Sequence, residues 1–256
     1  MLIDSHIHLP HKKYEKDVDL IVQEATIAGI TKLIVIGTHL KDNEIVSNLV
    51  SKYPNLYCSL GIYPNDELST NVDELATKLE VQIKNSSKIK AIGECGIDIT
   101  DWENQRSINE QIKLFEAQLF LAQKYKLPIV IHNRNGDEQV LNSIKKFPDV
   151  TGVLHCFASS WEYGKKFIDA GYYLSFAGLI TYRARRELLE TVVNVPANRY
   201  VIETDSPYLP PEGHRGETNY PKYVKIIAEK VAETRNISFE QVCEESYNNT
   251  VTLFKL

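Results

Sequence analysis

Leu2-Ile3-Asp4-Ser5-His6-Ile7-His8 joins a short apolar run to two histidines spaced two positions apart. Successive side chains of a strand point to opposite faces, so His6 and His8 share one side and can converge on one ion. The apolar half of this pattern recurs down the chain. Runs rich in Ile, Val, Leu and Tyr lie at 2–5, 33–36, 56–60, 89–93, 129–131, 152–154, 172–176 and 200–203. Such runs are what strands buried on both faces require. Helical patterns separate them at 15–28, 42–52, 71–84, 105–125, 138–145, 162–170 and 183–193, and two more follow at 221–234 and 238–253. Ser238 with Gln241 three positions later reads as a capping box for the last of these. Eight strands, each followed by a helix, imply parallel strands joined by crossover helices. The reading is an α/β fold: a single (β/α)8 TIM barrel over residues 1–256, with extra C-terminal helices. An open doubly wound sheet is the competitor, but the Gly-rich phosphate turn such sheets often carry after an early strand is missing.

The ionisable residues sharpen the barrel reading. Glu94 follows the fourth run, His132 ends the fifth, His155 ends the sixth and Asp205 closes the eighth. With His6 and His8, these residues sit at the C-terminal ends of strands, where a barrel places its chemistry. A lone histidine beside an apolar run is usually structural, and Glu94 alone could cap a helix. The coincidence of six metal-competent residues on five strands carries the weight. Four imidazoles and two carboxylates suit two divalent ions, with zinc, manganese or magnesium compatible. Glu94 is the natural bridge, His6 and His8 share one ion, and His132 and His155 share the other. Asp205 is assigned as a ligand and as the general base, with Glu94 and Asp205 the catalytic pair.

Composition narrows the partners. The 256 residues are 43% hydrophobic and 25% charged, ordinary values for a chain that buries a substantial core. A formal net charge of −5 argues against coating nucleic acid over a large basic surface, although bound ions can supply positive charge locally. Cys58, Cys95, Cys156 and Cys243 are scattered, which argues against a disulfide framework or a thiolate zinc site. The first residues do not resemble a secretory signal, and no apolar stretch is long enough to span a membrane. A cytoplasmic enzyme with no membrane association and no obligate protein partner is the expectation.

With these motifs assembled, the sequence resembles the TatD family of metal-dependent deoxyribonucleases, within the amidohydrolase-like barrels. The resemblance runs nearly end to end. It is carried by Asp4-Ser5-His6-Ile7-His8, Ile92-Gly93-Glu94-Cys95-Gly96-Ile97-Asp98, Pro128 to Arg134, His155-Cys156-Phe157, Ser175-Phe176-Ala177-Gly178, Glu203-Thr204-Asp205-Ser206-Pro207-Tyr208-Leu209, and Arg215-Gly216 followed by Asn219 and Pro221. The resemblance implies a divalent-metal phosphodiesterase, a 3′→5′ exonuclease on single-stranded DNA or RNA. The family's ligands map onto His6, His8, Glu94, His132, His155 and Asp205. One departure stands out. The family usually carries Gly-x-His-Pro-His after the third strand, where this chain has Gly61-Ile62-Tyr63-Pro64-Asn65. Those histidines are thought to face substrate, so Tyr63 and Asn65 are substrate-binding candidates without a group titrating near neutral pH.

Further candidates come from position. Arg134 could contact a phosphate, with an ion pair at the barrel rim as the alternative. His214 and Arg215 lie in a loop after the last strand, near where barrels often bind phosphate. Glu203 shares its side of the strand with Asp205 and could support a ligand. Trp102 and Trp161 could stack on a base, although packing is the commoner role. Cys95 and Cys156 are expected to turn away from the ions, and His11 and His39 to lie at the surface or rim. The alternative reactions are hydrolysis of a small ester, lactone or amide, against which no barrel lysine stands ready to bridge ions, and a non-catalytic scaffold, against which the full ligand set argues.

Overall fold

The computed structural model describes residues 1–100 and 103–256, and its eight strands are all parallel and paired in sequence order. They are β1 (Leu2–Ile7), β2 (Ile30–Ile36), β3 (Leu56–Leu60), β4 (Ile89–Asp98), β5 (Ile129–Arg134), β6 (Gly152–Leu154), β7 (Tyr173–Phe176) and β8 (Tyr200–Ile202). The helices between them are α1 (Val18–Ile27), α2 (Leu40–Val50), α3 (Val72–Asn85), α4 (Ile108–Tyr125), α5 (Asp137–Ile144), α6 (Trp161–Asp169) and α7 (Leu188–Asn194), with α8 (Val224–Arg235) and α9 (Phe239–Phe254) after β8. Ser238 caps α9 by accepting from the Gln241 N–H at 3.1 Å. The segment expected as one helix over 183–193 is shorter. Two 3₁₀ turns, Gly178–Thr181 and Arg183–Arg185, precede α7.

Strand alternation sorts the apolar residues into two layers. Ile34, Ile36, Ala91, Val130, Val153 and Val201 fill the barrel interior, and Leu253 and Phe254 from the end of α9 pack with them. Leu33, Val35, Ile129, Ile131, Leu154 and Ile202 face outward under the helices. Interior phase carries forward along each strand to its C-terminal end, where the side chain of the next interior position enters the barrel mouth.

The seam between the first and last strands closes through Ile7 and Ser206. The His8 N–H donates to the Ser206 carbonyl at 2.8 Å and the Asp205 N–H to the His6 carbonyl at 3.0 Å. Fully buried Asp4 accepts from the Thr204 N–H at 2.9 Å and from the Thr204 hydroxyl. Burial pushes the Asp4 carboxyl well above its usual range, against the Thr204 hydrogen bonds. The same stretches that carry His6, His8 and Asp205 are therefore fixed to one another.

Strand β4 departs from regular alternation. Ile92, Cys95 and Ile97 all face outward, and the pairing with β5 shifts register between Ile92 and Cys95. This irregularity absorbs one residue and turns Glu94 inward, a common use of bulges beside active sites. Gly93 takes a positive φ of 130° there. A Cβ on Gly61 of the neighbouring chain segment would lie 2.4 Å from the Gly93 Cα. Because the obstruction is backbone, Gly61→Ala is expected to cost about 3 kcal/mol or more. An unchanged urea midpoint in that variant would refute the close approach.

Candidate metal centre

Glu94 stands between two sets of imidazoles. Its Oε2 lies 3.3 Å from His6 Nε2 and 3.8 Å from His8 Nε2, while its Oε1 lies 3.0 Å from His132 Nδ1 and 3.1 Å from His155 Nε2. Asp205 joins the first set, its Oδ1 3.4 Å from His8 Nε2 and 3.7 Å from His6 Nε2. Within each set the ring nitrogens nearly touch, at 3.3 Å for His6 and His8 and 3.2 Å for His132 and His155. His6, His8 and Asp205 form one group with the spacing of an ion site, and Glu94, His132 and His155 form another. The donors are imidazole nitrogen and carboxylate oxygen, which suit zinc or manganese, and magnesium through the oxygens. The residues present therefore fit divalent metal ions.

The supporting contacts explain the aim of each side chain. Glu203 accepts from the Cys156 N–H at 2.7 Å and from the Ser175 hydroxyl, and its Oε1 lies 3.3 Å from His155 Nδ1, close but poorly aligned for a hydrogen bond. Glu203 thus backs His155 rather than Asp205. Asp205 has a φ of 57° and Cys156 a φ of 44°, left-handed conformations that are uncommon outside glycine and that cluster where backbones are bent for function.

Electrostatics follow from this crowding. Burial would raise the Glu94 carboxyl, but the imidazoles of His155, His132 and His6 outweigh it and hold the group well below its usual range. Asp205 is lowered in the same way, against burial, by His8, His155 and His6. Burial opposes charge on every imidazole, yet His8, His132 and His155 are raised by their carboxylate partners, His155 the most. His6 is lowered, by burial and by its positive neighbour His155. A raised imidazole keeps its proton to higher pH, and a ligand must shed that proton to bind a cation. Ion affinity is therefore expected to rise with pH through the neutral range, with proton release on binding. Calorimetric titration in buffers of different ionisation enthalpy measures that release, and affinity independent of pH from mildly acidic to neutral would contradict it.

The cluster forms the floor of an open cleft of about 950 Å³. Arg134 lines the cleft, is exposed, and makes no ion pair among the described residues, so the rim salt bridge weighed for it is not formed among them. Arg185, unremarked in the sequence, also lines the cleft, held by Glu187 at 2.6 Å and by the Ala158 carbonyl at 3.1 Å. Tyr63 reaches the cleft but Asn65 does not line it. Asn65 Oδ1 instead accepts from the Arg106 N–H at 3.0 Å. His214 and Arg215 lie outside the lining too. His214 pairs with Glu217 at 2.9 Å and stacks on Tyr223, while the Arg215 guanidinium sits 4.7 Å from the centre of the Tyr182 ring. Cys95 is buried as expected, whereas the left-handed turn at Cys156 brings that half-buried residue into the cleft wall. His11 and His39 are rim residues of the cleft. Trp161 is half-buried at the start of α6, and Trp102 lies outside the described residues.

A family profile described as TatD related DNase matches residues 3–255. The chain belongs to that family. Among curated relatives, the uncharacterized metal-dependent hydrolase YabD of Bacillus subtilis is 31% identical, with all of both chains covered. The 3′-5′ ssDNA/RNA exonuclease TatD of Salmonella typhimurium is 29% identical across 100% of this chain and 99% of its own. Among solved structures, the TatD homologue YjjV of Escherichia coli K12 superposes with a TM-score of 0.93 at 28% identity, covering 100% of this chain and 98% of that one. This member of the TatD family is a metal-dependent hydrolase on a (β/α)₈ barrel. Among its described residues no helix is long and apolar enough to cross a membrane.

Proposed function

We propose that the chain is a divalent-metal phosphodiesterase that shortens single-stranded DNA or RNA from the 3′ end. The observation that carries this reading is the division of Glu94, one oxygen toward His6 and His8 and the other toward His132 and His155. In this reading His6, His8 and Asp205 would hold one ion, His132 and His155 the other, and Glu94 would serve both. When bound, such ions lower the pKa of water and neutralise charge on the phosphate oxygens. The protein's own part is positional and proton-handling. Asp205, beside His8 at the mouth of the barrel, accepts the proton of the attacking water. Glu203 keeps His155 oriented from behind. Arg134, exposed and without an acidic partner among the described residues, offers a forked donor to a phosphate along the strand. An acidic chain with net charge −5 has few other means of attracting a polyanion, so the ions and the cleft arginines carry that task. The sequence of the Salmonella typhimurium exonuclease, alike over the whole length of this chain, supports the nucleic-acid substrate.

The test is degradation of end-labelled single-stranded DNA and RNA by protein stripped of metal and then supplied with Mg²⁺, Mn²⁺ or Zn²⁺. A metal-dependent ladder that shortens from the 3′ end is the expected result. Absence of cleavage with every ion, together with turnover of simple esters, lactones or amides, would replace the nuclease reading with a small-molecule hydrolase.

A further inference from the structure

Tyr63 occupies the position where the family resemblance leads one to expect a substrate-facing group, yet its hydroxyl is already engaged. It donates to Asp98 Oδ2 and lies 3.2 Å from His132 Nε2. The same Asp98 oxygen lies 3.2 Å from His132 Nε2. The other oxygen of Asp98 accepts from the N–H and hydroxyl of Thr100. Asp98 is fully buried and was not singled out by its position in the sequence.

His132 also differs from the other three histidines. His6, His8 and His155 face the cluster through Nε2, whereas His132 faces it through Nδ1. To offer a lone pair to a cation there, His132 must carry its proton on Nε2. Two arrangements of protons are available around that nitrogen. If the Tyr63 hydroxyl donated to Nε2, the ring proton would sit on Nδ1 and block the cluster side. If the hydroxyl donates to Asp98, the anion is left to accept Nε2–H, and Nδ1 is free. A bond from phenol to carboxylate is charge-assisted and outweighs one to neutral imidazole.

We propose that Tyr63 is a positioning residue for His132, acting through Asp98. The phenol and the Nε2–H of His132 converge on one carboxylate oxygen, which fixes both the ring orientation and the tautomer that exposes Nδ1. The surrounding loop is built to hold this geometry. The Tyr63 N–H donates to the Thr38 carbonyl at 2.7 Å. Gln111 donates to the Asp98 carbonyl at 3.0 Å, accepts from the Asp98 N–H at 2.9 Å and reaches Asn65 Oδ1 at 3.4 Å. Buried Arg106 ties down the same loop through the carbonyls of Pro64, Asp66 and Glu67. Asn65 thus braces the loop that Tyr63 uses. The proposal rests on the ion-site reading of His132 but not on the nucleic-acid reading.

Three variants test it: Tyr63→Phe, Asp98→Asn and the pair together. In metal-free protein at alkaline pH, ¹⁵N spectra of the imidazoles are expected to show His132 as the Nε2–H tautomer, and Tyr63→Phe to shift it toward a mixture. Affinity for Zn²⁺ or Mn²⁺, read by competition with a chelating dye, is expected to fall about 10-fold in Tyr63→Phe, the usual cost of losing an outer hydrogen-bond partner. Because Tyr63 acts through Asp98, the double variant should bind no more weakly than Asp98→Asn alone. Unchanged tautomer and ion affinity in Tyr63→Phe, with a raised KM, would place Tyr63 against substrate and overturn the proposal. Losses that multiply in the double variant would also overturn it. Should Asp98→Asn fail to fold, or the wild type bind neither ion, the tautomer of His132 in Tyr63→Phe still decides the matter apart from the ion-site reading.

Discussion

Glu94→Ala is expected to abolish hydrolysis, with kcat/KM falling roughly 10³-fold or more, a loss of about 4 kcal/mol in transition-state stabilisation. The size follows from where the carboxylate stands. Its two oxygens lie within 3.0–3.8 Å of four imidazole nitrogens, so its removal takes a donor from both halves of the cluster. It also removes part of the charge that raises His132, beside Asp98, and His155, beside Glu203, and leaves no carboxylate between the two groups of imidazoles. Glu94→Gln separates size from charge, since it fills the same space. Both variants should remain folded, because Glu94 lies at the mouth of the barrel above the apolar interior of Ile34, Val130 and Val201. The measurement is kcat/KM at increasing ion concentration beside thermal unfolding with and without ion. Wild-type protein should gain stability from the ion by mass action, and the variants should lose most of that gain. Activity within a few-fold of wild type in either variant would remove Glu94 from the mechanism.

The barrel was legible because its strands are nearly continuous apolar runs separated by amphipathic helices, a pattern with few other solutions. The histidines were legible because interior phase runs straight from Val130 to His132 and from Val153 to His155. Glu94 was found for an incomplete reason. It was expected beyond the end of β4, but β4 continues to Asp98, and strict alternation from outward-facing Ile92 would have turned Glu94 outward as well. The shift in register around Gly93 corrects its direction, and no local propensity announces such a shift beyond the glycine itself. Cys156 was misplaced for a related reason, since a left-handed residue breaks the alternation that was used to turn it away. Asn65, His214 and Arg215 show a different limit. Their partners, Arg106, Glu217 and Tyr182, are set by loop geometry that periodicity does not encode. Asp98 escapes this pattern because it lies four residues past Glu94, beyond the end of the apolar run at 89–93. Only a strand that both runs on and takes the shift at Gly93 puts Asp98, like Glu94, on the same side as the histidines.

Asp205→Asn is the sharper test of proton handling, and kcat is expected to fall about 10²- to 10⁴-fold at saturating ion. Asparagine is the right replacement because the backbone at this residue has a φ of 57°, a conformation that Asn accepts more readily than Ala. The N–H of residue 205 should still donate to the His6 carbonyl and its carbonyl still accept from the Tyr208 N–H, so the seam of the barrel stays closed. What changes is the capacity to take a proton. In the ion-free chain His8, His155 and His6 already hold Asp205 below its usual range, so it stays ionised into acid pH and is available throughout the neutral range. A base of low pKa is a weak one, which places the expected fall for Asp205→Asn toward the lower end of that range. The two roles assigned to Asp205 then separate by concentration. A residue that only holds an ion gives a variant whose kcat returns to wild type once ion is saturating. A residue that also accepts the proton leaves kcat depressed however much ion is added, because an amide oxygen, unlike a carboxylate, does not take up a proton at neutral pH.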